Sequence, residues 1–463
     1  MCRVVSFTVT FSLALSLMLV GCSPTSTPGG GDSELFEGAP SISEDAMLGG
    51  VQIRWFVGLG TGTSAAARAG AATFVDAFNG SQDEIELVLE VSPVGGVYGG
   101  ADLLRSQIEA GYPPDVIGPT GQLGVSLFRG LWLDLEPLLV DDDLSGIDSA
   151  IIDALRVEGH LVGVPTGVNP SVIYYNRDLF DAADLAYPPH RYGEPYADGD
   201  TWTIEKMEEI AMRLTVDASG NDATSPEFDP NRIGQWGFHW QWESGRGLAH
   251  FLGSGTAVDA AGNATIPDHW REAFHWYYDG MWEKEFIPTG GDVGRMKGNS
   301  FASGKVAMVR SYLWYLPRLV GAPFDWDMAA IPSYEGTVTV DWSSGMVGVL
   351  NATAHPREAV LVAHALATSP ELLALWGDVP ALESMQPSFF EALAKKHPDV
   401  DLQVAVDSLE YLGFLPHTTI MPNHPAAYAR FDDLRDLMSA RGDLDLDVEI
   451  DKLESDLQAI FIE

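Results

Sequence analysis

A chain of 463 residues exceeds the size at which one hydrophobic core usually stays undivided, so two lobes are expected. A hydrophobic fraction of 46%, with 10% aromatic residues, excludes global disorder. The formal net charge of −40, from 26 basic and 66 acidic residues, argues against nucleic acid or an anionic membrane surface as a partner. A strongly hydrated acidic surface suits a protein exposed to salt outside the cell, where ions screen its self-repulsion.

Residues 1–21 have the form of a secretion signal. Arg3 supplies an early charge, and the apolar run that follows is too short for a membrane-spanning helix and ends directly before Cys22. The tetrad Leu-Val-Gly-Cys resembles a bacterial lipobox, which implies cleavage before Cys22 and acylation of its thiol. The other cysteine is Cys2, so no disulfide is expected in the folded region. Residues 22–50, rich in Ser, Thr, Pro and Gly, are predicted to be a flexible tether.

The folded region is predicted to open with a strand, a glycine turn, a helix and a second strand. The first strand covers Val51–Val57, Thr63 or Ser64 caps the helix, and the second strand covers Ile85–Val91. This order is a βαβ unit, so we expect a right-handed connection and parallel strands.

The glycine turn of this unit, 58–62, has the spacing G-x-G-x-G rather than the dinucleotide fingerprint G-x-G-x-x-G. The sequence also lacks the G-K-[ST] of a P-loop. A turn at the carboxyl end of a strand, opening onto a helix N-terminus, is where α/β sheets bind ligands of many kinds. Gly60 and Thr61 are therefore predicted to line a cleft, with a purely structural turn as the alternative.

A hinge is predicted within 163–180. One strand enters at 162–165, the stretch 167–170 breaks the ladder, and a second strand resumes at 172–175. Pro170 cannot donate a backbone hydrogen bond, and Gly167 tolerates large dihedral changes, so two rigid lobes are expected to meet here.

Further elements follow from hydrophobic periodicity. An amphipathic helix is predicted over 123–139 with a break at Pro137, and a second helix begins after the capping residue Thr203. A strand over 234–242 carries four aromatic residues in alternation, and a helix over 265–286 carries a core stripe.

Several of these segments resemble one family, the extracellular solute-binding proteins of carbohydrate ABC importers, which includes maltodextrin-binding protein. The hinge segment, P-x-x-x-N-P-S-x-x-Y-Y-N-R-D-L-F, is similar to the lobe-crossing segment of that family. Further similar segments are P-D-V at 114–116, W-T-x-E at 202–205, F-x-x-G-x-x-A-M at 301–308, P-x-E-A at 356–359 and M-P-N-H-P at 421–425. The segment 341–350 resembles the second crossing between lobes.

The resemblance implies an α/β fold of the type II periplasmic-binding-protein class, with two α/β lobes joined by a multi-crossing hinge and a ligand cleft between them. Lobe 1 is predicted to comprise 51–169 with 346–375, and lobe 2 to comprise 170–345 with 376–463. Closure over the ligand would then be a hinge motion stabilised by contacts to both lobes.

Sugar rings have apolar C–H faces and polar hydroxyl edges, so a sugar site needs flat aromatic rings together with polar groups in the ring plane. In relatives, a ligand loop matches Gln122, a stacking tryptophan matches Trp314 and a cleft aromatic matches Phe431. Strand ends and crossings supply further candidates. The predicted ligand-binding residues are Gly60, Thr61, Gln122, Asn169, Trp240, Trp242, Glu243, Trp314, Asp341, Ser343 and Phe431.

The resemblance also implies ABC permease subunits as partners, a lipid anchor as the membrane contact, an extracytoplasmic location, and neither catalysis nor cofactor. A monomer is expected, and no metal site is predicted because the histidines lack metal-ligand spacing. The alternatives are a glycoside hydrolase that uses paired carboxylates, a surface adhesin, and a glycerol-phosphodiester or polyol binder of the same fold. G-x-S-x-G and H-E-x-x-H are absent.

Overall fold

The computed structural model describes residues 50–139 and 144–462, except for the side chain of Pro317. The predicted signal segment, Cys22 and all but the last residue of the tether lie outside the described residues. The strands are β1 (Val51–Val57), β2 (Ile85–Val91), β3 (Val116–Gly121), β4 (Arg156–Val157), β5 (His160–Leu161), β6 (Gly163–Asn176), β7 (Val216–Asp217), β8 (Ile233–Trp240), β9 (Val306–Tyr312), β10 (Trp326–Ala329), β11 (Trp342–Val349) and β12 (Val379–Pro380).

The helices of the first half of the chain are α1 (Ala65–Ser81), α2 (Val97–Glu109), α3 (Gln122–Leu127), α4 (Ser149–Asp153), α5 (Arg177–Ala182), α6 (Ile204–Arg213) and α7 (Gly245–Ala249). Those of the second half are α8 (Asp268–Trp282), α9 (Gly290–Arg295), α10 (Pro356–Ala367), α11 (Pro370–Trp376), α12 (Gln386–Lys396), α13 (Gln403–Ser408), α14 (His424–Ala440) and α15 (Leu446–Ile462).

One sheet runs through the molecule in the order β2-β1-β3-β11-β6-β9-β8-β7, with β10 and β12 also paired to β6. The predicted βαβ unit is confirmed: β1 and β2 are parallel, and the Ser64 side chain caps α1 by accepting a hydrogen bond from the Ala67 N–H. At the other end of the sheet, β8 and β9 are parallel to each other and β9 is antiparallel to β6.

Helices cover both faces of the sheet. Around β1 and β3, helices α1, α10 and α11 pack on one face, while α2 and α3 pack on the other. Around β8 and β9, helices α6, α8, α14 and α15 pack on one face, and α12 and α13 pack on the other. The strands are apolar toward both faces, as expected for a sheet buried between helical layers.

The predicted break in the ladder at 167–170 is wrong, because β6 is a single strand of 14 buried residues. The ladder continues by changing partners. Strand β11 pairs with β6 as far as Pro170, and β9 takes over from Ser171. Pro170 lies at the exchange, where its missing N–H is tolerated. The irregularity falls at Thr166, which the register with β11 skips as a bulge.

The helix predicted over 123–139 is also wrong beyond Leu127. Gly130 has a left-handed backbone with φ 79°, which ends the helical path. The chain then runs along the sheet, where the N–H groups of Leu133 and Leu135 donate to Val349 O and Leu161 O. Non-local backbone partners therefore override the local helical periodicity.

Within the described residues, no single helix has both the length and the hydropathy to cross a membrane. The pair α10 and α11 meets those criteria only when taken together, and it is bent by 66° at its break.

Candidate functional site

The carboxyl ends of the strands on the two sides of β6 point toward each other. Strand β3 runs in the same direction as β6 and ends at Gly121, whose partner Gly345 pairs in turn with Gly167. Strand β9 runs in the opposite direction and ends at Tyr312, which pairs with Ser171. Along β6, the end of β3 and the end of β9 are therefore separated by four residues, or about 13 Å of extended chain. Ligands of α/β folds bind outside the carboxyl ends of strands, so the site is expected around 167–171.

Four stacked rings lie where β8 and β9 end, and we call them the aromatic column. Trp242 stacks on Trp314 with centroids 6.3 Å apart and an interplanar angle of 11°. Trp314 stacks on Tyr312 at 5.7 Å, and Tyr312 stacks on His417 at 5.4 Å. The column runs from Trp242, 44% exposed, to His417, which is buried.

Trp242 has a backbone conformation that is rare for a bulky side chain. It follows β8 by two residues and has φ 58°, in the left-handed region. The indole Nε1 donates a 2.6 Å hydrogen bond to Gly298 O, and the Arg318 guanidinium lies 5.4 Å from the ring centroid. The same ring lines a cavity of about 350 Å³, which Tyr277 and Arg435 also border. Strained residues of this kind cluster at functional sites.

A buried polar cluster lies at the inner end of the column. The Tyr312 hydroxyl is 2.7 Å from Glu243 Oε2, 2.7 Å from Asp341 Oδ2 and 3.0 Å from His417 Nδ1. His417 Nδ1 is also 3.0 Å from Asp341 Oδ2. Ligand atoms of Glu243, Asp341 and His417 all lie within 4.8 Å of one another, so these residues could hold a metal ion.

Burial and mutual charge shift the pKa values of the three titratable groups in this cluster. Burial raises the pKa of Glu243, and the neighbouring Asp341 charge adds to the rise. Burial acts in the same direction on Asp341, but the charge of His417 and hydrogen bonds from histidines hold the pKa of Asp341 well below its usual range. Burial lowers the pKa of His417, yet the charges of the two carboxylates outweigh it and leave that pKa raised.

Two buried arginines lie close by without bonding to the carboxylates. Arg310 donates from Nε to Ser171 Oγ at 3.2 Å and from Nη1 to Phe251 O at 3.1 Å. Arg246 donates to Gly255 O at 3.3 Å and packs over the Trp270 ring, and burial lowers its pKa to about 9.

A second polar cluster lies at the exchange point of β6. Asp378, which precedes β12, accepts hydrogen bonds from Thr166 Oγ1 at 2.9 Å and from Asn169 Nδ2 at 2.8 Å. Burial raises the pKa of Asp378. Its two hydrogen-bond donors are neutral, and their hydrogen bonds do not outweigh the effect of burial. Asn169 Oδ1 has no partner, so one acceptor at this crossing remains unused.

The structure brings some of the predicted site residues together and separates others. Asn169 pairs with Ser343 across β6 and β11, and Gln122 is buried with Oε1 unpartnered. Gly60 and Thr61 lie exposed in the turn after β1. Trp240 and Phe431, the latter on α14, are both buried in the core, beside Arg310 and Trp270 respectively.

Sequence reasoning missed Tyr312, His417 and Asp378. Tyr312 lies two residues before the predicted Trp314, so strand alternation could have placed both rings on one side. No signal linked His417 to the site, because 105 positions separate it from Tyr312.

The family profile described as bacterial extracellular solute-binding protein matches residues 73–401. No curated protein sequence matches the chain.

Among solved structures, an ABC substrate-binding protein of Listeria monocytogenes in complex with cycloalternan is similar to this chain at 18% identity, with a TM-score of 0.66 and coverage of 89% of this chain and 98% of that one. The cyclic alpha-maltosyl-1,6-maltose binding protein of Arthrobacter globiformis is 17% identical, with a TM-score of 0.67 and coverage of 89% of this chain and 99% of that one. The maltose/maltodextrin-binding domain of Bdellovibrio bacteriovorus, bound to maltotriose, is 16% identical, with a TM-score of 0.65 and coverage of 89% of this chain and 100% of that one.

These likenesses confirm the predicted α/β fold of the type II periplasmic-binding-protein class. The profile match covers more than half of the chain, and its members are binding proteins. This chain therefore belongs to the bacterial extracellular solute-binding protein family.

Proposed function

We propose that this protein captures a sugar or oligosaccharide in a cleft between two lobes and delivers it, chemically unchanged, to an ABC permease. The observation that carries the proposal is Trp242, a strained and partly exposed indole stacked on Trp314 at the carboxyl ends of two parallel strands. An indole face suits the apolar C–H face of a sugar ring. The solved relatives named above include proteins bound to cycloalternan and to maltotriose.

The polar edge of the sugar would be met by the unsatisfied groups near 167–171. Asn169 Oδ1, Gln122 Oε1 and Ser344 Oγ are buried and lack partners, and sugar hydroxyl groups would satisfy them. Gly60, Thr61, Ser343 and the other predicted contacts remain predictions.

The lobe boundaries belong to the same proposal, with 51–169 and 346–375 in lobe 1, and 170–345 and 376–463 in lobe 2. The change of partner along β6 at Pro170 supports a crossing at this point. Hinge closure would bring Gln122, after β3, toward Trp314, after β9.

We further infer that residues 1–21 are removed and that Cys22 is acylated, so that a monomeric protein is tethered outside the cell membrane. The support is the sequence of residues 1–22 together with the extracellular character of the family. Cys22→Ser should move the mature protein from the membrane fraction to the soluble fraction. Persistence of the variant in the membrane fraction would contradict the anchor.

The proposed function is tested by titrating the purified protein with a panel of maltooligosaccharides, other oligosaccharides, polyols and glycerol phosphodiesters, followed by tryptophan fluorescence. Stoichiometric binding of a sugar, with the same sugar recovered intact by chromatography, is the expected result. Hydrolysis products would indicate the glycoside hydrolase alternative. Binding of none of the sugars, or only of a polyol or phosphodiester, would refute the sugar proposal.

A further inference from the structure

Glu243, Asp341, His417 and Tyr312 form a cluster with two short oxygen–oxygen contacts, and the single hydroxyl proton of Tyr312 can bridge only one of them. The Tyr312 hydroxyl lies 2.7 Å from a carboxylate oxygen of Glu243 and 2.7 Å from one of Asp341. A hydroxyl has one proton, so it can donate to only one of these acceptors. The other short O···O distance needs either a proton on the carboxyl group or a bound cation to bridge the two oxygens.

The charge in the cluster is also poorly balanced. Among the residues that the structure describes, no lysine or arginine nitrogen lies within 4.0 Å of either carboxylate, and the basic side chains within that distance are those of His250 and His417. Arg246 and Arg310 donate to Gly255 O, Ser171 Oγ and Phe251 O instead. Buried carboxylates are normally paired with cations or coordinate metals.

An independent observation comes from His250, which approaches the cluster from a different element, the turn after α7. Its side chain is fully buried, its Nε2 makes no hydrogen bond, and its Nδ1 faces a carboxylate rather than a neutral partner. The ring is directed at the cluster, with Nδ1 3.5 Å from Asp341 Oδ1. A buried imidazole with one unpartnered ring nitrogen beside the Asp341 carboxylate is a candidate metal ligand.

We propose that Glu243, Asp341 and His417 bind a divalent cation, and that Zn²⁺ is the ion that fits them best. Carboxylate oxygen and imidazole nitrogen are both zinc ligands, and three protein ligands leave a fourth position that Tyr312 Oη or His250 can approach. Tetrahedral bonds of about 2.1 Å place ligand atoms about 3.4 Å apart. His417 Nδ1 lies 3.0 Å from Asp341 Oδ2, and one ligand atom from each of the three residues lies within 4.8 Å of the other two, so one ion can be shared by all three.

Such an ion joins three stretches of chain that lie far apart in sequence: the end of β8, the start of β11 and the loop before α14. It also lies directly beneath the aromatic column, because Tyr312 and His417 belong to both groups. Glu243 and Asp341 are also among the predicted sugar contacts, but Zn²⁺ binding is measured without sugar, so the failure of one proposal is distinguishable from the failure of the other.

The test uses untagged purified protein, stripped with a chelator and titrated with Zn²⁺ by calorimetry and by thermal unfolding. Co²⁺ replaces Zn²⁺ in a parallel titration followed by visible absorption. Asp341→Asn and His417→Gln remove ligands at nearly constant volume. Asp378→Asn and His239→Gln are the matched controls, since each is a buried side chain of the same type bonded elsewhere, to Thr166 and to Ser300 respectively.

One Zn²⁺ per chain, an unfolding temperature that rises with Zn²⁺, and Co²⁺ bands of a tetrahedral site are the expected results. Both ligand variants should lose more than about 100-fold in Zn²⁺ affinity, beyond the loss typical of a residue that only orients a ligand, whereas both controls retain it. If a ligand variant does not fold, the Co²⁺ spectrum of the wild type decides. Absence of stoichiometric Zn²⁺, or equal affinity in all four variants, overturns the proposal and leaves a proton-sharing cluster.

Discussion

Trp242 offers the sharpest separation of binding from stability, because its backbone and its ring have different effects. We compare Trp242→Ala with Trp242→Gly. Both variants remove the ring, but only glycine relieves the left-handed backbone at φ 58°. The two variants should therefore lose the same sugar affinity and differ in stability.

The magnitudes follow from the contacts of the ring. Removing it forfeits the stack on Trp314, worth about 1 kcal/mol, and the hydrogen bond to Gly298 O, also worth about 1 kcal/mol. Trp242→Ala is thus expected to destabilise the protein by about 2 kcal/mol. Trp242→Gly regains about 1 kcal/mol from the relieved backbone. Loss of a stacking anchor should weaken binding by at least about 2 kcal/mol, or about 30-fold.

The assay combines calorimetric titration with the sugar found in the panel and urea unfolding of each variant. Trp326→Ala is the matched control, because Trp326 is a partly buried indole that packs on Tyr174 and His397 instead. The control should keep wild-type affinity. Wild-type affinity in both folded Trp242 variants, or an affinity loss that follows stability from alanine to glycine, would refute the reasoning.

Three further predictions concern the scaffold. Burial raises the pKa of Asp378, so the native state retains its proton longer than the unfolded state, and stability falls as pH rises from about 4 through the native pKa. Asp378→Asn should therefore gain on the wild type as pH rises, aided by the unpartnered Asn169 Oδ1, and a pH-independent difference in urea midpoints would contradict this. Gly237→Ala would place Cβ 1.9 Å from Ala211 O and should destabilise the fold by more than about 2 kcal/mol, whereas Gly294→Ala, with nothing within 4 Å, should be neutral or stabilising by up to about 1 kcal/mol in thermal unfolding. Because the net charge is −40, raising salt from about 0.01 M to about 1 M should raise the unfolding temperature, and an unchanged temperature would count against repulsion as a destabilising force.

Local chemistry in the sequence was sufficient to predict much of the scaffold. The caps Ser64 and Thr203 begin their helices as expected, since each side-chain oxygen accepts a hydrogen bond from an N–H three residues on. The first βαβ unit also follows from short-range pattern, whereas the placement of Trp314 just after a strand follows from the resemblance of 301–308 to a family segment. Such features are encoded within a few residues, so no distant partner is needed to determine them.

Tertiary structure decided the continuity of β6 and the composition of the site. The strand continues through Pro170 because β9 replaces β11 as its partner, a choice made by residues more than a hundred positions away. Trp242 leaves the strand alternation because its backbone turns left-handed after β8. The contacts of Tyr312 to Asp341, Glu243 and His417 span 29, 69 and 105 positions. Sequence periodicity predicted the face of residues inside most regular elements, whereas the register between distant strands decided which side chains meet, because that register is fixed only when the whole sheet forms.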